Sequence, residues 1–145
     1  MTQTFHQDLE KGTQVELTVL KEIQKKYPKA YKVEGYFKDN DLYVPEVEKS
    51  IEVKSDEKSK QTGNIVVEVE FDNKPSALST TKADYWVWWD GFEYTWFTPE
   101  DIRRCIKETS QSLRRFIGSG DIKSKKAYLI KKETLFKYSI NYANT

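Results

Sequence analysis

Asp39-Asn40-Asp41-Leu42-Tyr43-Val44-Pro45-Glu46-Val47-Glu48-Lys49-Ser50-Ile51-Glu52-Val53-Lys54 is the stretch on which the fold turns. Ile51 and Val53 alternate with Glu52 and Lys54, so a strand here places two apolar side chains on one face and the carboxylate and ammonium on the other. Upstream, Asp39-Asn40-Asp41 is turn chemistry and opens the short run Leu42-Tyr43-Val44. With Pro45 to Glu48 as the turn of a hairpin, Val44 pairs with Lys49 and Asp41 falls opposite Glu52. Two carboxylates and a lysine then meet at one spot, an arrangement suited to a divalent metal ion with a water beside it.

Working outward, residues 7–27 read as a helix. Val15, Val19 and Ile23 recur every four positions, Leu20 and Tyr27 widen the stripe, and Pro28 ends it. Residues 31–37 read as a strand and 55–62 as a polar, lysine-rich loop. Asn64 to Phe71 is a strong strand. Residues 75–82 form a loop or short helix, and 84–89 a buried strand. Asp90-Gly91 signals a hairpin that returns over 92–97. Thr98-Pro99-Glu100-Asp101 is a helix start, with Thr98 as cap, Pro99 in the first turn and acids at the positive end. That helix runs to Lys107 or as far as Phe116, before Gly118 and Gly120 break the pattern. A strand over 127–130 and a short helix over 132–138 complete the chain. No repeat or linker divides the sequence, so a single domain spans residues 1–145.

Composition narrows the classes. The 145 residues are 37% hydrophobic and 14% aromatic, so the chain folds, with much of its core aromatic. No stretch is long and apolar enough for a membrane span, and the first residues lack the features of a signal peptide. The single cysteine, Cys105, excludes an internal disulfide framework and a cysteine-based zinc site, and fits a reducing cytoplasm. On its helix, Cys105 reads as packed rather than nucleophilic. The single histidine, His6, lies near the start of the chain, which argues against histidine-based acid–base or zinc chemistry. Net charge is +1, but residues 101–145 hold eleven Lys and Arg against four Asp and Glu, while the first hundred hold thirteen against nineteen. An acidic part joined to a basic part fits a metal-dependent enzyme that grips phosphates; plain surface solvation gives the same pattern.

The chemistry follows from the residue types. Asp41 and Glu52 supply hard oxygen ligands for Mg²⁺ or Mn²⁺, and the backbone carbonyl of Val53 is a third. Lys54 orients the attacking water and holds a phosphate oxygen as charge builds. Phosphodiester hydrolysis is the reaction that uses these parts. Taken alone, Glu-x-Lys is also an ordinary cross-strand or same-face charge pair. Glu16 lies beside the apolar stripe of the first helix, four residues after Gly12, a glycine that reads as a close approach because glycine inside a helix costs roughly 1 kcal/mol. Its other reading is a solvent-facing helix residue.

Together these residues resemble the PD-(D/E)XK nuclease superfamily. Glu52-Val53-Lys54 matches the (D/E)XK motif. Asn40-Asp41 stands at the proline–aspartate position without the proline, and Glu16 matches the first-helix glutamate. The resemblance covers residues 7–90 and implies an α/β fold: a restriction-endonuclease-like core with a central mixed sheet flanked by helices. To this core an aromatic hairpin and a C-terminal helix are added. It implies a DNA endonuclease, with Glu16 assisting metal or water, and two sites in a homodimer formed through the hairpin or the C-terminal helix. In size, and in its Thr-Gly-Asn and Thr-Thr-Lys-Ala-Asp-Tyr-Trp segments, the chain looks like small phage or mobile-element endonucleases. A structure-selective activity in the host cytoplasm follows from that.

Further candidates lie outside this set. Thr81 and Lys82 fit backbone phosphate, or form a capped turn before Asp84. Arg103, Arg104, Lys107, Arg114 and Arg115 recur along the predicted helix and can follow a phosphate backbone or keep a face soluble. Asn64, Glu68 and Glu70 share a face by period two and touch the site only if their strand neighbours the motif strand; a solvent-facing edge is the alternative. The tryptophans invite base stacking, but an aromatic hairpin more often builds a core or an interface. Two other functions fit the sequence. One is a catalytically inactive nucleic-acid-binding or assembly module on the same fold. The other is a protein-interaction factor that uses the aromatic surface.

Overall fold

A computed structural model describes residues 2–35, 39–117 and 124–140, without the side chains of residues 2–11 and 117. Gly118, Gly120 and the end of the strand expected over 31–37 lie outside the described residues, as does the His6 side chain.

Helix α1 spans Thr2–Gln24, and its last turn continues until the Tyr27 N–H donates to the Ile23 carbonyl at 2.8 Å, one residue before Pro28. Three strands follow: β1 (Tyr31–Lys32), β2 (Leu42–Val44) and β3 (Lys49–Ser55). The expected hairpin forms in the expected register, with Val44 opposite Lys49 and Leu42 opposite Ile51. A one-turn helix α2 (Ser59–Thr62) occupies the segment read as loop. Next come β4 (Asn64–Phe71), β5 (Lys74–Pro75) and a 3₁₀ turn over Ala77–Ser79. The aromatic hairpin is β6 (Tyr85–Trp89) with β7 (Tyr94–Phe97).

Helix α3 (Pro99–Glu108) begins as its cap chemistry dictates, the Thr98 hydroxyl accepting from the Asp101 N–H at 3.1 Å. It does not reach Phe116. The Thr109 hydroxyl turns back onto the Cys105 carbonyl at 2.6 Å and Ser110 adopts a left-handed φ of 52°, which stops the helix. Residues 113–117 are instead strand β8 (Leu113–Ile117), paired with β9 (Ser124–Lys131) ahead of a short α4 (Lys132–Phe136).

The strands form two sheets. A mixed sheet has the order β1-β2-β3-β6-β7, and an antiparallel one the order β5-β4-β9-β8. The aromatic hairpin is therefore no addition. Its strand β6 runs parallel to β3, pairing Glu52 with Trp86 and Lys54 with Trp88, and is integral to the central sheet. The chain is α/β, with a five-stranded mixed sheet, a second antiparallel sheet and helices packed against them.

Two cores lie on opposite faces of the mixed sheet. Val19 and Leu20 of α1 pack on Leu42, Val44, Ile51 and Val87. On the other face Trp86, Trp88 and Phe97 meet Ile65, Val67, Ile102, Cys105, Ile130 and Leu135. Each such buried side chain contributes about 1.5–3 kcal/mol. Trp86 and Trp88 are thus core: both are buried, and the Trp86 indole N–H donates to the Thr81 hydroxyl at 3.0 Å, while Trp89 and Trp96 are half-buried. No described helix is long and apolar enough to cross a membrane.

Candidate active site

The geometry starts at the end of the β2–β3 ladder. Beyond Leu42 and Ile51 no further strand pair forms. The Asp41 N–H donates to the Ile51 carbonyl at 3.0 Å, and the Asp41 side chain then bends onto β3, where its Oδ2 accepts from the Val53 N–H at 2.7 Å. A side-chain carboxylate thus takes over where a strand carbonyl would have continued the ladder. Asp41 is buried, at 6% exposure.

Val53 packs toward the α1 core, so its neighbours Glu52 and Lys54 project to the opposite face, alongside Trp86 and Trp88. There the Lys54 ammonium lies 5.0 Å from the centre of the Trp86 ring, a cation–π contact that holds it over the sheet. Asp41, Glu52, Val53 and Lys54 are therefore brought to one place. Below them the Asp84 carboxylate fixes the start of β3, accepting from the Ser50 N–H at 2.9 Å and the Ser50 hydroxyl at 3.2 Å. The sequence reading missed Asp84; its position just before an apolar strand was the available signal.

Glu16 is held differently. Its carboxylate lies 3.3 Å from the Lys32 ammonium, and both side chains are about four-fifths buried. Lys32 pairs with Leu42, so this ion pair belongs to the α1 side of the sheet. Gly12 marks no close approach, because a Cβ built there meets nothing within 4 Å.

The basic candidates are dispersed. Arg114 and Arg115 sit on β8, not on the helix with Arg103, Arg104 and Lys107. Arg103 donates to the Leu78 carbonyl at 3.0 Å. Arg104 lies 3.2 Å from Asp101, 3.8 Å from Glu108 and over the Tyr138 ring. Lys107 is exposed. Thr81 accepts from Trp86 and from the Ala83 N–H at 3.2 Å, the structural role of a capped turn, while Lys82 beside it is exposed. Cys105 is fully buried, and burial pushes its thiol pKa up, so it is packed rather than nucleophilic.

Strand β4 does not neighbour β3, which removes the condition under which its acids would sit in the motif ladder. A bulge sets Glu68 opposite Ala127 but Glu70 opposite Lys126, so the two acids lie on opposite faces rather than on one. Glu68 nevertheless reaches the site's surroundings by a route the sequence did not reveal. With Lys54, Trp86, Trp88, Val66 and Lys125 it lines a cavity of about 190 Å³. A larger, apolar cleft of about 720 Å³ lies on the α1 side, against Ile23, Tyr27 and Ile51, and contains none of the predicted site residues.

The donor set can be tested against a metal. Among the described residues no three His, Cys, Asp or Glu side chains gather where they could hold a metal ion. Two carboxylates and a carbonyl suit an ion that fills most of its shell with water and phosphate oxygens, as Mg²⁺ does, and do not suit zinc or a caged Ca²⁺. No protein-family model, curated protein or solved structure matches the chain.

Proposed function

We propose that the chain is a metal-dependent endonuclease that hydrolyses DNA phosphodiester bonds from a restriction-endonuclease-like core. The observation that carries this is the Asp41 carboxylate seated on the Val53 N–H, between the positions of Glu52 and Lys54. Asp41, Glu52 and the Val53 carbonyl would hold Mg²⁺ or Mn²⁺, which when bound supplies Lewis-acid polarisation and a more acidic water. Lys54, steadied by Trp86, offers an ammonium to a non-bridging phosphate oxygen and to the incoming water. Glu16, which the resemblance assigns to assist metal or water, is paired with Lys32. A homodimer would place two such sites on two strands, and structure-selective processing of phage or mobile-element DNA is the role this activity would serve.

The test uses plasmid, single-stranded and branched DNA with Mg²⁺ or Mn²⁺. Cleavage by the wild type, with loss in both Glu52→Ala and Lys54→Ala at unchanged circular dichroism, is the expected outcome. Cleavage surviving both substitutions rejects the assignment.

The engagement of Glu16, and the absence among the described residues of three acids gathered to hold a metal, favour a second reading, a nucleic-acid-binding module without catalysis. Metal-independent DNA binding with steep salt dependence and no cleavage is its signature.

A further inference from the structure

The antiparallel sheet extends one wall of the Lys54 cavity outward. Residues paired directly across antiparallel strands share a face, so Phe71, Lys125 and Phe116 form one row across β4, β9 and β8. Glu68, Ala127 and Arg114 form the next row on the same face, and Val66 lies beyond them. The other face of this sheet carries Ile65, Val67 and Ile130 into the core. On the first face Phe71 is 41% exposed, Val66 37%, and Arg114 is exposed, while the small Ala127 between Glu68 and Arg114 is itself buried. Glu68 holds Lys125 at 3.7 Å and accepts from the Ser76 hydroxyl at 2.9 Å, and Lys125 lines the same cavity as Lys54.

We propose that this face is a platform for an unpaired DNA strand, with bases on Phe71 and Phe116, phosphates on Lys125 and Arg114, and the strand leading to Lys54. This deepens, and rests on, the nuclease reading above. The exposed ring of Phe71 and the half-buried ring of Phe116, flanking Lys125, match a single strand, whose bases have open π faces, better than a duplex, whose bases are already stacked. Both cations are complementary to a polyanion, and the face is continuous with the candidate site. The enzyme would then cut in or beside an unpaired segment.

The test measures binding of the full chain to a labelled oligothymidine and to a hairpin duplex of equal length, by fluorescence anisotropy without divalent cations. Phe71→Leu with Phe116→Leu keeps apolar strand residues and removes the rings. The double variant is expected to bind the oligothymidine about tenfold more weakly, with the duplex little changed. Arg114→Gln should reduce the slope of log affinity against log salt by about 0.7. Unchanged oligothymidine binding in the folded double variant overturns the platform, as does an equal loss for the duplex. Dissociation of a dimer with DNA binding intact also overturns it, making the face a contact between copies. The two proposals separate cleanly: binding through the rings with no Mg²⁺-dependent cleavage sinks the nuclease alone, and cleavage with ring-independent binding sinks the platform alone.

Discussion

Two hairpins of the same sheet each end on a buried aspartate. Asp41 closes the β2–β3 ladder and Asp90 the β6–β7 turn. Both carboxylates accept backbone N–H groups, Asp41 from Val53 at 2.7 Å and Asp90 from Phe92 at 2.8 Å and Glu93 at 2.7 Å. Their neighbours differ. Asp90 is fully buried and its second oxygen lies 2.5 Å from the Lys132 ammonium, so the pair ties the start of α4 to the central sheet. Asp41 sits against the strand that carries Glu52 and Lys54, and Lys54 lines a cavity. Burial and backbone hydrogen bonding are thus common to both carboxylates; what differs is what lies next to the charge.

Neutralising each aspartate separates the two roles. Asp41→Asn keeps an oxygen for the Val53 N–H, so stability should change by less than about 1 kcal/mol. Mg²⁺-dependent cleavage should fall about a thousandfold, roughly 4 kcal/mol of transition-state stabilisation. Equal cleavage by this variant and the wild type would make Asp41 a second staple.

The converse change is Lys132→Met. It leaves the Asp90 carboxylate buried without its cation and should lower stability by about 3 kcal/mol, read from the urea midpoint, with the per-molecule cleavage rate of the folded protein unchanged. A wild-type midpoint would show that the pair is not a staple.

Acid sharpens the contrast further. Burial pushes the Asp90 pKa up, but the Lys132 ammonium and the N–H groups of Glu93 and Phe92 outweigh it and hold the carboxyl below its ordinary value. The stability this contributes is present in full above the unfolded carboxylate pKa of about 3.9. It is lost as pH falls from there through the lower native value. Urea titrations between pH 5 and 2 should therefore show a steeper loss in the wild type than in Asp90→Asn, and parallel curves would refute it.

The smallest effect expected is a gain. Gly12→Ala, on a helix and with open space at Cβ, should stabilise by up to about 1 kcal/mol and leave both aspartates' roles untouched. A loss of stability would mean the glycine is required.

The parts legible in the sequence were those set by neighbours in the chain. Alternation and a Pro-led turn between residues 42 and 54 gave the β2–β3 register residue for residue. The Thr98 cap gave the start of α3, and the apolar run at 85–89 gave a buried strand. Illegible were the end of α3, where arginine periodicity continued past a left-handed Ser110, and the bulge that splits Glu68 from Glu70. A bulge is decided by the partner strand, which period-two counting ignores.

By itself, then, the sequence determined the local hairpin that carries Asp41, Glu52 and Lys54, because pairing across a four-residue turn depends on residues within reach of one another. Only the tertiary structure decided that β6 rather than β4 lies beside the motif strand, that Lys132 reaches Asp90, that Lys32 engages Glu16, and that Lys125 overlooks Lys54. Those partners are separated by long stretches of chain, and what selects them is the burial of two sets of apolar side chains on opposite faces of one sheet. That choice is made by the whole core at once, and no short window of residues encodes it.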